Sequence, residues 1–113
     1  MKKLYCILIT LLVFACVQQE KPPANLISKD LMIKILIDIH IAEAIVNIMN
    51  VSKDSSMVMF NGLEQKIFEK YRMDKEQFHD SYNYYLHNIN ILDDIYTVVV
   101  DSLSMREALF RME

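Results

Sequence analysis

The chain has one glycine, no tryptophan, two prolines and two cysteines in 113 residues, and each scarcity removes a class of chemistry. Glycine-rich phosphate loops, nucleophile elbows and dinucleotide fingerprints all need several close backbone approaches, which a lone Gly62 cannot supply. Phosphoryl and acyl transfer thereby lose their usual scaffolds. Both cysteines, Cys6 and Cys16, stand near the amino end, so the remainder of the chain has no thiol for a disulfide, a thiolate nucleophile or a cysteine zinc site. Both prolines, Pro22 and Pro23, are adjacent, and no proline after them interrupts a helix. Positive charge is also short: 12 Lys and Arg face 15 Asp and Glu. Nucleic acid is therefore not an expected partner.

What is present begins with an address. Lys2 and Lys3 precede an apolar run of 14 residues, Leu4 to Val17. A membrane span needs roughly 20 residues, so residues 1–15 read as a signal peptide and not as a transmembrane anchor. Its end, Val13, Phe14, Ala15 and Cys16, resembles the bacterial lipobox, in which the cysteine receives lipid and becomes the new amino terminus. The resemblance implies a chain attached to the membrane through lipid on Cys16. Two or three acyl chains hold stably, since each buried CH₂ contributes about 0.8 kcal/mol and a single chain binds only reversibly. Removing Lys2 and Lys3 leaves 10 basic residues against 15 acidic ones, a formal −5 for the processed side chains. Residues 16–25 form the lipidated cysteine and a short polar tether, VQQEKPPAN after the cysteine. No acidic run follows Cys16 directly, so the expected location is the outer membrane facing the periplasm, with the inner membrane or cell surface as alternatives.

Residues 26–113 predict one all-α domain, a small bundle of three to four helices. Leu26 to Asn50 is the longest apolar stretch after the leader and reads as a central helix capped by Ser28. Leu31, Ile35, Ile39, Ala42, Val46 and Met49 form one face, while Ile33, Ile37, Ile41, Ala44 and Ile48 fall elsewhere, so this helix must be covered on several sides. A second helix is expected over Met57 to Tyr71, after a polar connection from Ser52 to Ser56, with Phe60, Leu63, Ile67, Phe68 and Tyr71 inward. Gly62 lies within it, either permitting a close helix contact or incidental. Asp74 with Gln77 has capping-box spacing and starts a third helix, whose Phe78, Tyr82, Tyr85 and Ile89 form a core stripe. Asn88 and Asn90 offer a break and a fresh cap. A fourth helix then runs from about Ile91 to Arg111, burying Leu92, Ile95, Tyr96, Val99, Leu103 and Phe110; the third and fourth could also be continuous.

Several blocks of this pattern resemble a family of small helical lipoproteins of unknown function from Bacteroidota. The match lies in LIS at Leu26 to Ser28, L-x-D-I-H-I-A-E-A at Leu36 to Ala44, I-F-x-K-Y at Ile67 to Tyr71, F-x-x-S-x-x-Y-Y at Phe78 to Tyr85 and I-Y-x-x-V-x-x-x-L at Ile95 to Leu103. Arg72 stands where the resemblance leads one to expect glycine. More faintly, the helix, turn and capped helix around Asp74 resemble helical substrate-holding segments of periplasmic chaperones.

Candidate chemistry is sparse. His79 and His87 read as solvated surface. His40 and Glu43 have an H-x-x-E spacing, the reverse of the E-x-x-H of di-iron bundles and present once, so no metal or other cofactor is expected. Asp30, Lys34 and Asp38 share one edge of the central helix, whereas His40, Glu43, Asn47 and Asn50 share another about 160° away. Asp38, His40 and Glu43 are the candidate site for a partner or small ligand. The expected function is non-catalytic: an interaction or holdase-like module for another envelope protein, or a homodimer. The alternative is a small-ligand or metal-binding protein using those three residues.

Overall fold

The computed structural model describes residues 1–3 and 21–113; the expected cleavage site and Cys16 lie outside the described residues. Four helices follow: α1 (Lys29–Ile48), α2 (Lys53–Lys70), α3 (Lys75–Leu86) and α4 (Ile89–Met112), with no strand among the described residues. The all-α bundle is as the hydrophobic periodicity predicts.

Helix α1 is the centre, packing on α2 along one side and on α4 along another. Ser28 caps it by accepting the Leu31 N–H at 3.2 Å. Met32, Ile35, Leu36, Ile37 and Ile39 are all buried, so its first half is covered nearly all round. Coverage then fails. Ala42 and Val46 remain buried, but Ile48 and Met49 are 82% and 53% exposed. Met49, expected inside, is the residue after the last helical turn, where α1 has outrun its neighbours.

Asn50 turns the chain with φ 48°, a left-handed conformation that asparagine tolerates better than most residues. Ser52 then caps α2 by accepting the Ser55 N–H, so this helix begins at Lys53 and takes in most of the expected connection. Nothing lies within 4 Å of where a Gly62 side chain would stand, which leaves no close helix contact for that glycine to permit. The end of α2 is a Schellman motif. The Met73 N–H donates to the Phe68 carbonyl at 3.0 Å and the Arg72 N–H to the Glu69 carbonyl at 3.1 Å, with Arg72 at φ 54°.

Asp74 caps α3, accepting the Gln77 N–H at 2.7 Å. The reciprocal half of the expected capping box is absent, because the Gln77 side chain reaches instead to the Asn25 carbonyl at 3.0 Å. Phe68 and Phe78, with ring centroids 5.2 Å apart, join α2 to α3. Ile89, placed on the aromatic stripe by spacing, is 68% exposed because the stripe ends at a break. The break falls at His87 and Asn88, so α3 and α4 are separate; Asn90 lies inside the first turn of α4 and does not cap it. Ile95 and Val99 are almost fully buried against α1. Phe110 is 79% exposed, against expectation, because α4 continues past the elements it packs on.

Candidate functional site

The three candidate residues do not converge. Asp38 sits on the side of α1 that faces α2, its side chain 21% exposed, and one oxygen, Oδ2, receives two donors: Lys70 Nζ at 2.7 Å and Tyr71 Oη–H at 2.8 Å. The Asp38 bond is the largest cause raising the Lys70 ammonium above its ordinary pKa; for the Tyr71 phenol burial comes first and the Asp38 bond second. Asp38 is thus already occupied by the chain's own groups, as a charged acceptor in a half-buried place must be.

His40 and Glu43 lie on the side facing α4. His40 Nδ1 and Glu43 Oε2 are 3.0 Å apart, and the His40 ring stands edge-on to Tyr96 at 6.2 Å between centroids. The Tyr96 hydroxyl pairs with that of Tyr82 at 2.9 Å, joining α4 to α3. Burial, followed by the bond to Tyr82, pushes the Tyr96 phenol well above its ordinary range. No group of three or more His, Cys, Asp and Glu side chains able to hold a metal occurs among the described residues.

A third polar cluster escaped the sequence reading. Ile27, 2% exposed, is held through its peptide from both directions: its N–H donates to Ser81 Oγ at 2.9 Å, and its carbonyl accepts from Tyr85 Oη at 2.6 Å. Ser81 is fully buried. Its signal was a serine at the intermediate position of the Phe78 to Tyr85 stripe, where an apolar residue would be ordinary. The sequence blocks therefore pair in space. LIS meets F-x-x-S-x-x-Y-Y through Ile27, Asp38 meets I-F-x-K-Y through Lys70 and Tyr71, and His40 meets Tyr96 of the last block. Most of the conspicuous polar residues hold helices to one another.

The open surfaces lie elsewhere. A groove of about 430 Å³ runs between the end of α1 and the start of α2, floored by Val46, Met57 and Phe60 and rimmed by Glu43, Asn47 and Lys53. Met57 is itself exposed, and so are Ile48, Val51 and Val58 at the same end of the two helices. A second concavity, about 460 Å³, follows the α2–α3 joint. Phe68 and Met73 line it among polar side chains, and Lys75 and Glu64 pair there at 3.2 Å. No helix among the described residues is long and apolar enough to cross a membrane.

The family model of a domain of unknown function, DUF4296, matches residues 23–108, from the tether through most of α4. No curated protein and no solved structure matches the chain.

Proposed function

The chain belongs to the DUF4296 family, and from that premise we propose that it is one of the small Bacteroidota envelope lipoproteins that its sequence blocks resemble, anchored by lipid on Cys16 and serving as a non-catalytic helical docking or holdase-like module for another envelope protein. The observation that carries the docking role is the groove between α1 and α2. Its apolar floor and the exposed Ile48, Val51, Met57 and Val58 stand at one end of the helical hairpin, where a solvated surface has no use for them. The flexible Met57 suits a surface that adapts to its partner. Glu43 and Lys53 on the rim supply one charge of each sign to set orientation.

Two measurements test the two halves. Mass spectrometry of the envelope fraction should find residues 1–15 removed and Cys16 acylated; an unmodified Cys16 overturns the anchor. A photo-crosslinker in place of Ile48, activated in intact cells, should give a discrete adduct with another envelope protein that Met57→Asp abolishes while the helical signal persists. An adduct indifferent to Met57→Asp, or none, overturns the docking role.

A further inference from the structure

Past Leu103 the last helix leaves the body of the domain, and every residue from Ser104 to Glu113 is exposed. The exposure has a pattern. Val98, Met105, Leu109 and Met112 are 44%, 67%, 59% and 83% exposed. Together with Ser102 they recur at alternating spacings of four and three, which is the seam of a two-stranded coiled coil: Val98, Met105 and Met112 at d, Ser102 and Leu109 at a. The a position one heptad before Ser102 is Ile95, which is fully buried, so the open part of the seam begins at Val98, where the covered face of α4 gives way to solvent.

The charges beside the seam choose the partner. Asp101 falls at a g position and Arg106 at the e position five residues on, and neither has an ion pair within the chain among the described residues. In a parallel pair of helices, g of one strand faces the following e of the other, so Asp101 of each copy meets Arg106 of the second, twice by symmetry. In an antiparallel pair with the seam fully overlapped, e faces e and Arg106 meets itself. We propose that this face docks a second copy of the chain, as a parallel, two-fold-symmetric coil over Val98 to Met112. Two heptads are short for an isolated coil, but α4 is already a formed helix on its own domain, so the cost of nucleation is met beforehand. If the proposed Cys16 anchor holds, two copies on one bilayer share their orientation about an axis normal to it, which again favours the parallel pair and raises their effective concentration.

The test uses the full chain in its membrane. In a parallel coil like positions at d face each other, so Met105→Cys should form a disulfide-linked pair on mild oxidation, whereas Ser104→Cys, on the outer side of the helix, should not. The unsubstituted chain, with Cys6 and Cys16, sets the background. Asp101→Arg should lower the Met105→Cys cross-link about five-fold, on the scale of two exposed ion pairs lost, and adding Arg106→Asp should restore it. No cross-link at Met105→Cys, equal cross-linking at Ser104→Cys, or no rescue by the charge exchange overturns the proposal. The adduct through Ile48 reads a different surface, so failure of either proposal is seen separately.

Discussion

Ser81 shows how much one small side chain can decide. Its hydroxyl is the acceptor for a buried backbone N–H, that of Ile27, and no other acceptor among the described residues takes it. Ser81→Ala should therefore lower stability by about 1–3 kcal/mol, the cost of a buried donor left unmet, although the volume change is slight. A urea midpoint within error of the parent would show that the N–H finds water instead. The residue was hard to see in the sequence because a serine between aromatics looks like any tolerated polar residue, and its partner is 54 positions away. Asp38 and His40 were conspicuous for the opposite reason: they interrupt the longest apolar stretch. Their location on one helix was legible, but their partners were not. Lys70, outside the inward set of the second helix, reaches Asp38, since spacing on a single helix says nothing about which neighbour it approaches.

At the scale of elements, the α2–α3 joint is where local chemistry is most readable. Arg72 at φ 54° occupies the left-handed position of the Schellman motif that ordinarily takes glycine, and Asp74 two residues on accepts the Gln77 N–H. The two sites should respond in opposite directions. Arg72→Gly should raise stability by about 1 kcal/mol by relieving the left-handed backbone, while Asp74→Ala should lower it by about 0.5–2 kcal/mol through loss of the cap. Paired thermal denaturation decides; a destabilising Arg72→Gly would mean that the arginine side chain contributes more than its backbone costs. Caps were legible at Ser28 and Asp74 because a cap is written within four residues. The inward placement of Met49 and Phe110 was misjudged because periodicity marks an apolar face without saying how far the neighbouring helix extends along it.

For the whole molecule, the bonds between helices share a dependence on pH. Tyr71, Tyr85 and Tyr96 all have phenol pKa values raised above the ordinary 10.0, first by burial, and Lys70 is raised above 10.5 first by its bond to Asp38. Each folded pKa exceeds its unfolded value, so the folded state holds these protons more tightly. The contribution is complete below the unfolded values and is lost as pH climbs from about 10 through the folded ones. Urea midpoints should thus fall steeply above pH 10, and the fall should shrink in Tyr96→Phe; a flat profile to pH 11 would refute the linkage. The way α3 grips the segment ahead of α1 has a further, mechanical meaning. Gln77 holds the Asn25 carbonyl, and Ser81 and Tyr85 hold both sides of the Ile27 peptide, at successive turns of one short helix. Tension arriving along the chain from residue 21 reaches these three fastenings before it reaches α1. Their anchor points on α3 lie four residues apart, so such a pull loads α3, the shortest of the four helices described, ahead of the central helix.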